Sequence, residues 1–299
     1  MIKLVYNVVR KMKGIKIPMI QDIYPHKLHN EYNPAARVQE SSPILNISNG
    51  KVLVHTEQFD NGVVAFPLKK ELPEELEYTY LFKVDDREYF LWNEELSEDS
   101  IPEGYSYVEE RSIRKESKGP CEEVFAATTA KHLSDWYRDA CFCGRCGTKM
   151  VPHDKERAMS CPSCGYIAYP RIMPAVIVGV KNGDKLLLTK YRTGFAHNAL
   201  IAGFTEIGET AEETVMREVM EEAGIKVKNI HYYKSQPWGT ANDLLLGFYC
   251  EVDGDDTITM DRHELKYAEW VQREEIVLQP GNFSLPNEMM RRFKEGYEV

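Results

Sequence analysis

The 299-residue sequence has little positive charge and no long apolar run. It carries 37 Lys and Arg against 47 Asp and Glu, which argues against a general nucleic-acid surface because nonspecific binding depends on clustered cations. No stretch approaches the roughly 18 consecutive apolar residues that a membrane-spanning helix needs. The basic segment 1–16 contains a short apolar run at 4–9 that Asn7 interrupts, so it does not predict an export signal. We therefore expect a cytoplasmic protein without a membrane partner.

Residues 203–225 hold the most informative pattern in the chain. They read G-x5-E-x7-R-E-U-x-E-E-x-G-U, where U is a bulky apolar residue. Within this pattern Thr210 and Glu213 are spaced as a capping box, in which each side chain accepts from the other residue's backbone amide. The capping box predicts a helix over 211–223, and Gly224 suits the left-handed position that ends it.

The predicted helix has one apolar face and one acidic face. The apolar stripe, which we expect to be buried, consists of Val215, Val219 and Ala223 with Met216 and Met220 beside them. Glu218, Glu221 and Glu222 share another face, where they repel one another unless cations neutralise them. Arg217 is a single positive charge, so an ordinary solvated acidic face is the weaker interpretation. Oxygen ligands of this kind suit Mg²⁺ or Mn²⁺, which bridge to substrate phosphates.

The same residues resemble the signature box of Nudix hydrolases, which cleave nucleoside diphosphates linked to another moiety. The resemblance implies that Glu218 and Glu222 bind catalytic cations with Glu221 alongside, and that Arg217 pairs with Glu209 to hold the loop against the helix. It also implies that Glu222 or Glu221 acts as general base toward the attacking water. The cations would polarise the phosphoryl oxygens, lower the pKa of the water and stabilise the leaving phosphate.

Four of the seven cysteines form two paired knuckles, with the spacing Cys143-x2-Cys146-x14-Cys161-x2-Cys164. This spacing predicts a tetrahedral zinc site. Two disulfides are the alternative, but a chain in a reducing compartment favours ligation of a metal by thiolates. Because four cysteines fill the coordination shell, we expect this zinc to be structural and the catalysis to lie elsewhere.

The knuckles, the box and the sequence Ser235-Gln236-Pro237-Trp238 together resemble the NADH pyrophosphatase (NAD⁺ diphosphatase) subfamily of Nudix hydrolases. The resemblance implies hydrolysis of the pyrophosphate of NAD(H) to AMP and nicotinamide mononucleotide by a homodimer. Relatives also remove NAD caps from RNA, which requires the same bond to be broken. The sequence leaves both the small dinucleotide and the capped RNA open as substrates.

The resemblance further implies roles for individual residues. Tyr169 and Phe204 would sandwich the nicotinamide ring, a role that flat aromatic faces suit. The backbone carbonyl of Ala202 and the carboxylate of Glu264 would complete the site of the catalytic cations. The other implied substrate contacts are Glu156, Arg114, Gln236, Pro237 and Trp238. For the aromatic residues, ordinary core packing is the alternative interpretation.

The chain departs from the subfamily pattern after Trp238. Relatives continue S-Q-P-W-P-F-P-x-S, whereas this chain reads S-Q-P-W-G-T-A-N. The missing aromatic residue and prolines predict a less rigid loop over the substrate, which leaves the preference between NADH and NAD⁺ open. Another nucleoside diphosphate derivative, such as ADP-ribose or a dinucleoside polyphosphate, therefore remains a candidate substrate. A non-enzymatic regulator that senses a nucleotide is the second alternative, but degenerate box carboxylates would favour it and here they are intact.

Three units are expected along the chain: a β-rich N-terminal domain ending in a connecting helix at 1–138, a zinc ribbon at 139–168 and a Nudix hydrolase domain at 169–299. The fold class is α+β, with an α/β/α sandwich in the Nudix domain. Strands are predicted at 43–47, 51–56, 62–67, 78–84, 88–92, 175–180, 185–189, 243–252 and 267–271. Helices are predicted at 122–139, 211–223 and 287–297.

Overall fold

A computed structural model describes residues 19–116, 119–194, 196–281 and 283–297. Segment 1–16, from which we expect no export signal, lies outside these residues. The helices are α1 (Thr56–Asp60), α2 (Glu110–Glu116), α3 (Cys121–Asp139), α4 (Ala211–Ala223) and α5 (Leu285–Lys294). The strands of the first half are β1 (Leu28–His29), β2 (Ile44–Ser48), β3 (Lys51–His55), β4 (Thr79–Val84), β5 (Arg87–Trp92) and β6 (Tyr105–Glu109). The later strands are β7 (Val151–Pro152), β8 (Met159–Ser160), β9 (Ile167–Ala168), β10 (Met173–Asn182), β11 (Lys185–Tyr191), β12 (Ile201–Phe204), β13 (Val227–Trp238), β14 (Asp243–Val252) and β15 (Leu265–Gln272).

No helix among these described residues combines the length and the apolar character that crossing a bilayer requires.

The N-terminal domain is a six-stranded sheet covered by helix α3. The strand order is β1-β4-β5-β2-β3-β6, with β2 and β5 parallel. Ala126, Ala130 and Trp136 of α3 belong to the same buried cluster as Leu45 and Leu91 of the sheet. The helix predicted at 122–139 is therefore confirmed, and its apolar side closes this core.

One predicted strand of this domain is wrong. Segment 62–67 is a loop, and its backbone bonds individual groups of other segments instead of a strand ladder: Val64 N–H donates to Gly119, and the Ala65 carbonyl accepts from His55. The neighbour of β3 at the edge of the sheet is instead β6, which pairs with β3 along its whole length. Strand β6 escaped prediction because it follows an acidic loop and alternates only weakly between polar and apolar residues.

The zinc ribbon consists of the three-stranded sheet β7-β8-β9 and the two knuckles. The four predicted sulfur ligands lie within 4.8 Å of one another, and all are free thiols. Their closest sulfur–sulfur separations are 3.5 and 3.6 Å, whereas a disulfide needs about 2.05 Å. Four converging thiols with no disulfide fit a tetrahedral zinc ion, as predicted.

The ribbon is not an appendage, because its knuckles are part of the N-terminal core. Cys143, Cys161, Met150 and Met159 belong to the same buried cluster as Trp136 of α3. Zinc binding and the packing of the N-terminal domain are therefore expected to stabilise each other.

The C-terminal domain is an α/β/α sandwich, as predicted. Its sheet has the order β13-β14-β10-β11-β15, with β12 paired to β10. Alternate residues of β10 point to opposite faces: Val176 and Val178 pack with Val219 of α4, while Ile177 packs with Met289 of α5. The apolar side of the acidic helix thus packs on one face of the sheet, which fixes the position of the helix.

Helix α4 has the predicted bounds and caps. Thr210 accepts a hydrogen bond from the Glu213 amide, Glu213 reaches back to the Thr210 amide, and Gly224 ends the helix in the left-handed conformation with a φ of 69°. The expected burial of Met216 and Met220 is wrong, since they are 45% and 41% exposed. Consecutive helix positions are roughly 100° apart, so both methionines turn away from the sheet that buries Val215 and Val219.

A serine substitution in the ribbon should test the zinc site. Cys161→Ser is expected to lose the bound zinc and to lower the melting temperature by about 10 °C or more, because ligation and core packing are lost together. Elemental analysis and thermal unfolding measure the two effects. Cys121→Ser is the matched control, since Cys121 is exposed and stands outside the four-cysteine group. One zinc per chain in Cys161→Ser would contradict the assignment.

Candidate active site

Arg217 connects the loop before α4 to the acidic face of the helix. Its guanidinium donates to Glu209 at 2.6 and 3.0 Å, to Glu218 at 2.7 Å and to Glu221 at 3.0 Å. It also donates to the Phe204 carbonyl at 2.8 Å. The predicted pairing with Glu209 is therefore confirmed, and the hydrogen bonds from Arg217 lower the pKa of Glu209 to about 2. One cation thus binds two acidic neighbours on its own helix and fixes the incoming loop.

Of the three glutamates on the acidic face of α4, Glu222 is the one that receives no hydrogen bond from Arg217. The residue is 2% exposed, and neither carboxylate oxygen has a hydrogen-bonding partner of good geometry among the described residues. Burial raises the pKa of Glu222 to about 8, and the charges of Glu264 and Glu218 add to the increase. The backbone amide of Ala202 lowers this pKa only in part, and a buried carboxylate without well-directed hydrogen bonds is costly. A divalent cation would supply a partner, so the residues present fit the expected metal.

Gly203 makes room for the second predicted ligand. A Cβ at this position would lie 1.9 Å from the carboxyl carbon of Glu218 and 2.0 Å from one of its oxygens. Since β12 pairs with β10 through Gly203 and Val176, the strand cannot simply move away from the helix. The sequence pattern has glycine at this position for a steric reason, because the Glu218 carboxylate occupies the space that a side chain would need.

Glu264 completes the acidic environment without joining a compact ligand set. It is exposed and precedes β15, and its charge raises the pKa values of Glu222, Glu218 and Tyr191. Within the described ranges, the one group of three or more Cys, His, Asp or Glu ligands within 4.8 Å of one another is the four cysteines. The carboxylates are near enough to raise one another's pKa values, but their oxygens do not converge within 4.8 Å as the four cysteine sulfurs do.

A cavity of about 610 Å³ opens beside this acidic environment. Ala202 and Tyr191 line it on the side of Glu222, and Arg114 and Trp238 line it toward the N-terminal domain. The Arg114 guanidinium lies 4.8 Å from the centre of the Trp238 ring and pairs with Glu110 at 3.2 Å. Two residues that are distant in sequence and that we predicted to contact substrate are thus brought together in one wall.

The loop after Trp238, which we predicted to be less rigid than in relatives, contacts the N-terminal domain. Thr240 donates to the buried Glu110 carboxylate at 3.3 Å, and its carbonyl accepts from Lys131 at 2.9 Å. Gly239 packs so closely on helix α3 that a Cβ would lie 2.3 Å from the Thr128 carbonyl oxygen. The local sequence could not reveal these contacts with the N-terminal domain, and the lower rigidity of the loop stays a prediction.

Gln236 is fully buried, and its amide is engaged inside the chain. It donates to Gln21 at 3.0 Å and to the Phe283 carbonyl at 2.7 Å, and it accepts from the Leu285 amide at 2.7 Å. These bonds connect β13 to the start of α5. In this structure Gln236 positions the neighbouring Pro237 and Trp238, and its own side chain is not presented to the cavity.

The remaining predicted substrate residues lie on exposed surfaces. The Tyr169 hydroxyl donates to Glu156 at 2.8 Å, which joins two of them beside the zinc ribbon. Tyr169 and Phe204 are each about half exposed, so both aromatic faces are accessible. The core-packing alternative therefore does not hold for these two rings.

Asp243 also lines the cavity, and it is not among the predicted site residues. Asp243 is 7% exposed, and one of its carboxylate oxygens has no partner among the described residues. The sequence pattern indicates only that a strand begins at this residue. A carboxylate at the edge of an otherwise apolar strand was the available signal.

Two known domain families match adjacent parts of the chain. The sequence profile of the NUDIX domain matches residues 171–293, and that of the NADH pyrophosphatase zinc ribbon domain matches residues 138–169. The chain combines a Nudix domain with an NADH pyrophosphatase zinc ribbon. These assignments cover the knuckles, the acidic helix and most of the cavity wall.

Individual relatives match mainly this part of the chain. A protein named NAD-capped RNA hydrolase NudC from Shigella flexneri is 44% identical over 151 residues, covering 50% of this chain and 58% of the relative. Its counterpart from Escherichia coli (strain K12 / DH10B) is 43% identical with the same coverage. A solved NUDIX hydrolase from Nitrosomonas europaea aligns with 53% of this chain and 94% of its own at 23% identity and a TM-score of 0.46. The matched region thus spans little more than half the length of these curated relatives.

Substituting Gly203 should disturb the Nudix site through Glu218 alone. Gly203→Ala is expected to weaken Mn²⁺ binding by about tenfold or more, because the new methyl group displaces the Glu218 carboxylate. Titration with Mn²⁺ followed by electron paramagnetic resonance measures the affinity. Gly144→Ala is the control, since a Cβ there meets nothing within 4 Å. Unchanged Mn²⁺ affinity in Gly203→Ala would show that Glu218 is not a ligand.

The buried Glu222 carboxyl should make the metal-free protein less stable as pH rises. Its pKa is about 8 in the folded chain against an ordinary 4.5, so between these values the folded state holds a proton that the unfolded state has lost. The free energy of unfolding should therefore fall from pH 5 to pH 8. Glu222→Gln should remove this part of the slope, and added Mg²⁺ should restore stability at pH 8 in the wild type only. Urea unfolding at several pH values, with zinc retained and no added cation, measures the slope. Equal slopes in the two proteins would contradict the unpaired-carboxyl interpretation.

Proposed function

We propose that this protein is a metal-dependent hydrolase that cleaves the pyrophosphate of NAD(H) into AMP and nicotinamide mononucleotide. The observation that supports it most is the buried, unpartnered Glu222 beside a cavity large enough for a nucleotide. A buried carboxylate with no partner is a poor structural element, and it suits a residue that acquires its partner on binding a cation. The names of the relatives agree with a ligand that contains NAD.

In this proposal the carboxylates of Glu218, Glu222 and Glu264 and the carbonyl of Ala202 hold Mg²⁺ or Mn²⁺. When bound, the cations supply charge stabilisation for the phosphoryl oxygens and acidify the attacking water. Arg217 and Glu209 position the helix and its loop. Glu222 is our first choice for the general base because it lacks an arginine partner, and Glu221, which shares Arg217, is the second.

On the substrate side, Arg114 and Trp238 would hold one part of the dinucleotide, and the exposed rings of Tyr169 and Phe204 would stack on the nicotinamide. Glu156 would support Tyr169 through their hydrogen bond, and Gln236 and Pro237 would set the position of Trp238. We further propose a cytoplasmic homodimer. Removal of an NAD cap from RNA needs the same bond broken, and the net charge of −10 favours the free dinucleotide.

A substrate panel tests the reaction. The purified chain is incubated with NADH, NAD⁺, ADP-ribose, FAD or NAD-capped RNA, each with Mg²⁺ or Mn²⁺. Chromatography quantifies AMP and the oxidised or reduced nicotinamide mononucleotide. For the capped RNA only the mononucleotide is quantified, because the adenosine monophosphate remains as the 5′ end of the RNA. We expect NAD(H) to yield both products. Turnover of ADP-ribose without NAD(H) would favour the other nucleoside diphosphate substrate, and binding without any turnover would favour a nucleotide-sensing regulator.

In the same assay, Glu222→Gln is expected to reduce kcat by about 100-fold or more while the protein stays folded, because the neutral amide binds a cation more weakly and cannot accept the proton. Glu212→Gln is the matched control, since Glu212 is an exposed glutamate at the start of the same helix. Near-wild-type turnover by Glu222→Gln would refute its assignment.

A further inference from the structure

Glu110 is a buried carboxylate of the N-terminal domain that also contacts the Nudix domain. It is the first residue of α2 and is 3% exposed. Its Oε1 atom accepts from Arg114 Nε at 3.2 Å and from the Thr128 hydroxyl at 3.1 Å, and its Oε2 atom accepts from the Thr240 hydroxyl at 3.3 Å. The carboxylate therefore joins α2, α3 and the loop after Trp238 at one point.

Thr240 gives this loop a donor that the subfamily pattern lacks. In S-Q-P-W-P-F-P-x-S a phenylalanine stands at the position of Thr240, and a phenylalanine ring has no hydroxyl to donate. The Thr240 carbonyl also accepts from Lys131 Nζ at 2.9 Å, so one residue of the loop is bonded to both α2 and α3. The contact with Glu110 is therefore particular to this sequence.

The bond to Glu110 leaves one edge of the Arg114 guanidinium available. Glu110 accepts from Nε, and the guanidinium carbon lies 4.8 Å from the centre of the Trp238 ring. Among the residues that the structure describes, the terminal nitrogens Nη1 and Nη2 of Arg114 have no hydrogen-bond partner. Because Arg114 lines the cavity, these nitrogens can offer parallel N–H donors to an oxygen-bearing group of a ligand there.

Stabilisation of the N-terminal domain is the alternative role of the pair formed by Glu110 and Arg114. The two residues lie one turn apart on the same short helix, so their bond does not join separate elements of that domain. A buried ion pair also contributes little net stability compared with apolar residues of similar size. The pair does hold the guanidinium against Trp238 of the other domain, which favours a role in positioning Arg114.

We propose that Glu110 is a positioning residue, which holds Arg114 so that Nη1 and Nη2 meet an oxygen-bearing group of the dinucleotide. The inference rests on the proposed function, because it takes Arg114 as a substrate contact. Glu110 does not touch the substrate and acts through Arg114. The bond from Thr240 sets the loop after Trp238 at a matching position, so the N-terminal domain contributes to the affinity for the dinucleotide.

A double-mutant cycle on Glu110 and Arg114 tests this dependence. Calorimetry with NAD⁺ and no added divalent cation measures the Kd for the wild type, Glu110→Met, Arg114→Met and the double variant. Methionine fills the space without a charge, and apolar replacement of a whole buried ion pair is often tolerated. We expect Glu110→Met to raise the Kd by about tenfold or more, because Arg114 loses its anchor. In the Arg114→Met background the same substitution should change the Kd by no more than about twofold.

A purely structural role of Glu110 predicts a different cycle. Glu110→Met would then weaken NAD⁺ binding by the same factor whether or not Arg114 is present. That result would overturn the proposal, and so would a Kd for Glu110→Met within about twofold of the wild type.

Glu110→Gln is the conservative variant, since it keeps the shape of the side chain and an acceptor for Arg114 Nε. It should raise the Kd by only about threefold, because a neutral acceptor bonds a guanidinium more weakly than a carboxylate does. This increase should also vanish in the Arg114→Met background. If Glu110→Met does not fold, Glu110→Gln takes its place in the cycle, and an equal increase in both backgrounds would again overturn the proposal.

Glu109→Gln is the matched control, since it removes the same charge from the adjacent, exposed residue at the end of β6. Its Kd for NAD⁺ should equal that of the wild type. Because the cycle measures binding without turnover, a wild type that binds NAD⁺ but releases no AMP would contradict the proposed reaction and leave the cycle interpretable. A wild type that binds no NAD⁺ would overturn both.

Discussion

The geometry of the candidate site depends on a single guanidinium. Arg217 is bonded to Glu209, Glu218, Glu221 and the Phe204 carbonyl at once, so it connects strand β12, the following loop and the helix. Without this cation three carboxylates would repel one another and the loop would lack an anchor. Because Arg217 is fully engaged by these partners, it has nothing left for Glu222. The pairing of some acidic side chains therefore explains why one of them remains free to bind something else.

The second constraint is the contact between domains at the loop after Trp238. Gly239 has no space for a side chain against the Thr128 carbonyl, and Thr240 is bonded to Glu110 and Lys131. Helices α2 and α3 of the N-terminal domain thus form the outer support of a loop that borders the cavity. Cys143 and Cys161 share a buried core with α3. The zinc ribbon therefore packs on the same helix that contacts this loop. The N-terminal domain therefore helps to shape the cavity through these contacts.

The parts of the fold that sequence predicted well are those governed by local chemistry. The bounds of α4 follow from a capping box and a left-handed glycine, and the four sulfur ligands follow from knuckle spacing. The failures concern positions that other segments decide. Met216 and Met220 look apolar but turn away from the sheet, and segment 62–67 looks like a strand but finds no strand to pair with. The close contact of Gly239 is with helix α3, more than a hundred positions earlier in the chain, and no local pattern carries that information.

Glu222 places opposite demands on the fold and on a ligand. The residue is 2% exposed, and neither carboxylate oxygen has a hydrogen-bonding partner of good geometry among the described residues, so its charge costs stability. A fold selected for stability alone would place a neutral residue of similar size at this position. Under the proposed function, the cations that accompany a dinucleotide's phosphates would supply the missing partner. The cost of burying Glu222 and the affinity for those cations then have the same origin, because the energy that the fold loses at this carboxylate is recovered when a cation binds it.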